Sequence, residues 1–320
     1  MAISVNEEAL KIVKELMANE KFYNIKSKKL GNGSTVIDMG IDVLGGYNAG
    51  LKLGEICLGG FATVTMSSSQ YDGTFLPTVV VTTEYPHISC LGSQFAGWRC
   101  NVKDAGYFAM VSGPARALKG GEQGLFDELD YIDTAKVSVA VLEANTLPNE
   151  TVMDFIASKC KVSVENTYAL VAPTRSICGS VQIAARIVET GIHKLHEVKF
   201  DPKKIIFGTG TVPIGPIAKS DTKAMGITND AIIAAGSVFL TVKSLESDNI
   251  SEIIQKVPSS TSHQYGKPFF EIFKEAGNDF YKIDPHLFAP AQMIINDIRT
   301  GETFTAGKID VSLLKTSFNI

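Results

Sequence analysis

Tyr168-Ala-Leu-Val-Ala-Pro-Thr-Arg-Ser-Ile-Cys-Gly-Ser-Val-Gln-Ile-Ala-Ala-Arg-Ile-Val-Glu-Thr-Gly-Ile-His-Lys-Leu195 is the stretch on which the fold reading turns. Tyr168 to Ala172 is a short apolar run of the kind that forms a buried strand. Beyond Pro173, Ile183, Ile187, Val188 and Ile192 recur at helical spacing, which predicts one long helix from about Ser176 to Leu195. Upstream, Val137 to Leu142 reads as another buried strand and Asn149 to Ser158 as a helix. Strands alternating with helices in this order predict α/β layers, two domains and mixed sheets.

Working outward, Asn6 to Met17 carries an apolar face at helical spacing, with Asn6 or Ser4 as its cap. Gly31-Asn32-Gly33 predicts a turn into a strand at Ser34 to Val43. A short helix follows from Tyr47 to Cys57, closed by Gly59-Gly60. Phe61 to Met66, Leu76 to Thr82, Trp98 to Val102 and Tyr107 to Val111 read as strands, and Pro86 to Ala96 as a helix. Lys204 to Phe207 predicts a short strand entering a glycine-rich loop, and Asn229 to Leu245 a strongly apolar helix. Ser251 to Val257 and Pro268 to Ala276 read as helices, and Met293 to Ile309 as a hairpin around Thr300-Gly301.

A chain of 320 residues exceeds what one core usually serves, so two domains are expected. The most linker-like stretch, residues 119–124, places the crossing. The expected partition is 1–120, completed by the hairpin at 290–320, and 121–289, carrying the long helix. With 30 basic against 34 acidic residues and a net charge of -4, no basic excess exists to track phosphates, which argues against nucleic acid as a partner. Five cysteines without a C-x-x-C pair fit reduced thiols in a cytoplasmic setting. The N-terminus has no apolar signal segment, and no apolar run is long enough to span a bilayer.

Three segments could carry chemistry. Gln182, Arg186 and Glu189 share a stripe beside the apolar face of the long helix. A carboxylate facing an electrophilic carbon can deprotonate water, and a guanidinium beside it favours its charged form and orients it. The same pair also fits a solvated surface ion pair. Ser112-Gly113-Pro114-Ala115-Arg116 follows a strand and could bring N–H groups, a hydroxyl and a guanidinium to one anion, or be a plain turn. Gly208 to Gly215 has the glycine density of a phosphate loop, but Pro213 and Pro216 stand where a helix should begin. His193 and His196 lie on one face without an evident third ligand, so no metal site is expected.

The segment Tyr168 to Ile192 resembles the methenyltetrahydromethanopterin cyclohydrolases. The resemblance runs nearly end to end. It includes Ser4-Val-Asn-Glu7, Gly33-Ser-Thr-Val-Ile-Asp38, Ala49-Gly-Leu51 through Gly59-Gly60, and Asp72-Gly73 through Leu76-Pro77. It also includes Asp104-Ala-Gly-Tyr-Phe-Ala-Met-Val-Ser-Gly-Pro-Ala-Arg-Ala-Leu118.

The resemblance implies reversible hydrolysis of N5,N10-methenyl-tetrahydromethanopterin to the N5-formyl form in archaeal one-carbon metabolism and methanogenesis. It also implies a homotrimer of two-domain subunits with a pterin cleft between the domains, and no metal or redox cofactor. Arg186 and Glu189 match the family's catalytic arginine and glutamate, with Glu189 the base for water and Arg186 its ionic partner. Ser112, Arg116 and Gln182 are the expected substrate-binding residues. Arg175 stands where the family pattern leads one to expect a small residue. The alternatives are a non-catalytic tetrahydropterin-binding protein, a transferase holding a nucleotide at Gly208 to Gly215, and a structural trimer joined through Asn229 to Leu245.

Overall fold

The computed structural model describes residues 3–95, 97–120 and 124–320, with the backbone alone at 281. Its strands are β1 (Lys26–Lys29), β2 (Thr35–Asp38), β3 (Ala62–Tyr71), β4 (Thr74–Thr83), β5 (Trp98–Val102), β6 (Tyr107–Ser112), β7 (Ser138–Glu143), β8 (Thr167–Val171), β9 (Ile205–Pro213), β10 (Ser237–Val242), β11 (Gln292–Asp297) and β12 (Thr303–Gly307). They form two mixed six-stranded sheets, ordered β1-β2-β8-β7-β6-β5 and β12-β11-β10-β9-β4-β3. The α/β class expected from the sequence is the one observed. One compact unit comprises Met1–Thr63 and Ile88–Gln182, and the other Val64–His87 and Ile183–Ile320.

The partition differs from the expected one. β7 and β8 lie beyond residue 120 yet pair within the first sheet, β8 in parallel with β2. The hairpin β11–β12 does not complete the first part, because β11 pairs with β10 in the second sheet. Parallel pairing between distant segments leaves no local trace in composition, so a glycine-rich stretch was a poor guide. Residues 121–123 of that stretch lie outside the described residues, as do Met1, Ala2 and Ala96.

In the first unit the helices are α1 (Val5–Ala18), α2 (Glu20–Tyr23), α3 (Tyr47–Cys57), α4 (Ala115–Lys119), α5 (Leu125–Leu129), α6 (Glu150–Cys160) and α7 (Ile177–Ala184), whose last two residues fall in the second unit. The central strands are apolar on both faces, which requires cover on both. Ala140 and Leu142 of β7 and Ala169 and Val171 of β8 join Val152, Met153 and Ile156 of α6 in one core. Val139, Val141 and Leu170 point the other way, into a core with Ala9, Val13 and Leu16 of α1 and Leu53 and Ile56 of α3. Ser4 rather than Asn6 caps α1, accepting from the Glu7 N–H at 3.1 Å. Asn6 is buried and takes the Val139 N–H on Oδ1 at 2.9 Å, tying α1 to β7.

The second unit adds α8 (Ile187–Glu197), α9 (Asp221–Ala235), α10 (Ile250–Gln255), α11 (Phe269–Glu275) and α12 (Val311–Phe318). Asp72 and Gly73, both at positive φ, join β3 to β4 in the tight turn that a hairpin favours. On one face of this sheet Val79, Val81, Val238, Leu240, Met293 and Ile295 are buried, and α8 and α9 pack against β9. On the other face Thr82, Phe207, Thr211 and Phe239 are exposed. The expected helix Asn229 to Leu245 is instead the end of α9 followed by β10. Its apolar residues are buried in both elements, so no period separates them, and Gly236 marks the join. Among the described residues no helix is long and apolar enough to cross a membrane.

Candidate active site

The long helix read at Ser176 to Leu195 is two helices. α7 ends at Ala184, α8 starts at Ile187, and Arg186 caps α8 at φ -81°, ψ 2°. No proline or glycine stands at the break. The cause is tertiary: α7 packs within the first unit, where Val181 lies against Gly50, while α8 packs on the second sheet. Gln182 therefore does not share a continuous helical stripe with Arg186 and Glu189. It is the last residue of the first unit.

Arg186 and Glu189 do meet. Arg186 Nη2 donates to Glu189 Oε2 at 2.9 Å. Glu189 is only 4 % exposed, so this is not the solvated pair that the spacing alone allows. The glutamate sits in the first turn of α8, where the helix dipole favours negative charge. Its Oε1 accepts no hydrogen bond among the described residues. One oxygen is thus anchored and the other is available, the arrangement a general base requires.

The remaining candidates separate. Ser112 ends β6 with Oγ 3.6 Å from Cys57 Sγ. Arg116 is 0 % exposed, its Nη1 donating to Leu91 O at 3.2 Å and Ser93 O at 2.9 Å. The Phe95 and Phe126 rings lie 5.2 and 5.8 Å from its Cζ. These contacts hold the π-helical stretch His87–Gln94, expected as an ordinary helix, against α4. The Gly113 N–H, at 3.0 Å, and the guanidinium both converge on Ser93 O, while the Ser112 hydroxyl faces Cys57. Gln182 is 4 % exposed, and its buried Oε1 has no hydrogen-bond partner among the described residues.

Gly208 and Gly210, read as a loop, are interior residues of β9, the strand between β10 and β4. They present no nest of N–H groups to a nucleotide phosphate, because β10 and β4 occupy both edges of the strand. Their alternation at i and i+2 is the strand signal in this stretch, and the glycine density masks it. His193 reaches Glu197 at 3.8 Å, and among the described residues no three His, Cys, Asp or Glu side chains group so as to hold a metal ion.

The cyclohydrolase (MCH) family model matches residues 4–318. The chain belongs to this family. A methenyltetrahydromethanopterin cyclohydrolase of Methanococcoides burtonii is 46% identical over 318 residues, covering 99% of each chain. The protein of the same name from Methanocella arvoryzae is 47% identical over 317 residues, covering 99% of this chain and 98% of its own. That of Methanocaldococcus jannaschii is 46% identical over 318 residues, covering 98% of each. Membership of the cyclohydrolase family makes this chain an enzyme and gives the Arg186–Glu189 pair a hydrolytic context that its geometry alone does not specify.

Proposed function

We propose that this cyclohydrolase adds water to N5,N10-methenyl-tetrahydromethanopterin and releases the N5-formyl form, reversibly, with Glu189 as the base. The observation that carries the reading is the buried Glu189 side chain, with one oxygen held by Arg186 at 2.9 Å and the other accepting no hydrogen bond among the described residues. The methenyl carbon lies in a cationic N–C–N unit and is already electrophilic. Water oxygen bonds to that carbon while Glu189 takes one of its protons. The adduct's hydroxyl then loses its proton as the bond to N10 breaks and N10 takes up a proton, and the carbon remains on N5 as a formyl group. One proton is released overall. A placed base and an oriented substrate meet the needs of this reaction.

Ser112 and Gln182 are assigned to substrate binding in this scheme, the unpartnered Gln182 Oε1 being the stronger case. Arg116 contributes by holding the segment around Ser93 in place. The enzyme's setting is read as the cytoplasm, in archaeal one-carbon metabolism, with buried cysteine thiols as support. Its assembly is read as a homotrimer, for which the open face of the second sheet, with Phe207 and Phe239 exposed, offers apolar surface.

The test is a spectrophotometric assay with the methenyl pterin on the wild type and on Glu189→Gln. The expected result is loss of about 10²–10⁴-fold in kcat with the pterin still bound, the range for a positioned general base. Full turnover in Glu189→Gln would end the assignment, and binding without turnover in the wild type would make the protein a pterin carrier.

A further inference from the structure

We propose that Gly208 and Gly210 are positioning residues for the reaction, a seat in β9 that fixes the height and rotation of the first turn of α8. The inference rests on the reading of Glu189 as the base. Neither glycine is needed for its backbone conformation, since neither has positive φ. Both are needed for space. A methyl carbon on Gly208 would lie 2.9 Å from Val188 Cγ1 and 3.2 Å from Leu240 Cδ2. One on Gly210 would lie 3.1 Å from Ile187 Cγ1, Ile187 Cγ2 and Val188 Cγ2.

The neighbours that need this space are specific. Ile187 and Val188 are fully buried, and they are the two residues between Arg186 and Glu189. Both are β-branched on a helix, so their χ1 angles are stiff and they cannot swing aside. Added bulk on β9 must therefore lift or turn the helix, and the Arg186–Glu189 pair moves with it. A strand in the middle of a sheet is weakened by interior glycines. β9 has two at the inward positions beneath this turn, and a turn later Gly191 brings the helix equally close to Val238 and Met293.

The experiment compares Gly208→Ala, Val188→Ala and their combination. Gly208→Ala is expected to lose about 10²-fold in kcat, the scale of a misplacement of about 1 Å, with KM within about threefold. Adding Val188→Ala removes the nearest clash and is expected to return kcat to within about fivefold of Val188→Ala alone. A merely structural role would change the melting temperature without this size-specific rescue in folded enzyme. If Gly208→Ala folds poorly, Gly210→Ala, with its longer contacts, takes its place with Ile187→Ala as the rescue. Wild-type kcat in the alanine variant, or a loss that the partner substitution does not relieve, overturns the proposal.

A crystal structure of the variant separates this idea from the assignment of the base. An unmoved first turn of α8 overturns the seat whatever Glu189 does. A displaced turn in an enzyme whose Glu189→Gln variant is fully active also overturns the positioning role, and traces that failure to the base.

Discussion

Two arginines stand in stretches of sequence that look equally functional, and the structure uses them in opposite ways. Arg116 lies in the first unit, sealed from solvent, its charge met by two backbone carbonyls and two aromatic rings. Arg186 lies in the second unit at the head of α8, partly exposed, its guanidinium on a carboxylate that keeps one oxygen uncommitted. The first arginine is fully employed in holding protein to protein. The second organises a group that still has bonding capacity to offer. A charged residue in a suggestive motif becomes a candidate for chemistry only when its neighbourhood leaves such capacity over.

The contrast can be broken by substitution. Arg116→Met keeps most of the side-chain volume but strands the Leu91 and Ser93 carbonyls, at a cost of about 3 kcal/mol in stability. Denaturant titration should show that loss, while kcat of the folded fraction stays within about threefold of wild type. A large fall in kcat without loss of stability would return Arg116 to the substrate. Arg186→Lys retains charge but gives up the planar fork that orients Glu189, and should lower kcat about 30-fold, or about 2 kcal/mol. Its melting temperature should move little. If the two variants exchange signatures, the distinction fails.

A smaller effect sharpens the comparison from the acidic side. Asp230 is a buried carboxyl of the second unit committed to scaffolding: it accepts the Phe269 N–H at 2.9 Å and the Ser317 hydroxyl at 2.5 Å. Burial pushes its carboxyl up to about 7 from the usual 3.8. The folded form therefore holds a proton that the unfolded chain has lost between those values. Its contribution is most favourable below about pH 4 and declines as pH rises to about 7, by at most about 1.4 kcal/mol per pH unit. Subtracting the stability profile of Asp230→Asn from that of the wild type should isolate this slope. A difference that grows more favourable toward pH 7 would show a carboxylate stabilised by its donors.

Much of this was legible from residue order. α3 has the limits Tyr47 and Cys57 that its flanking glycines predict, and α1, α6, β5 and β6 lie within a residue or two of expectation. These elements carry their own caps, turns or alternation. The break between α7 and α8 carries none, because it arises where the two halves of a good helical sequence pack on different units. β9 was hidden by its own glycines, and β10 by an apolar run shared with α9. For the site, the three-residue spacing placed Arg186 beside Glu189. Burial decided the rest, and burial depends on partners far away in the chain. It turned the Arg186–Glu189 spacing into an enclosed pair and drew Arg116 into a core.

The insertion of β3 and β4 between parts of the first unit has a consequence for biogenesis. A ribosome delivers Thr78-Val-Val-Val-Thr82 early, yet its partner in β9 comes only after the whole first unit has been made, with Thr78 opposite Pro213. Until then the nascent hairpin presents an uncharged edge of high strand propensity, with Val79 and Val81 still waiting for the cover that buries them. The interval before β9 emerges is the window in which this chain is most open to mispairing with its neighbours, and in which a chaperone has the most to protect.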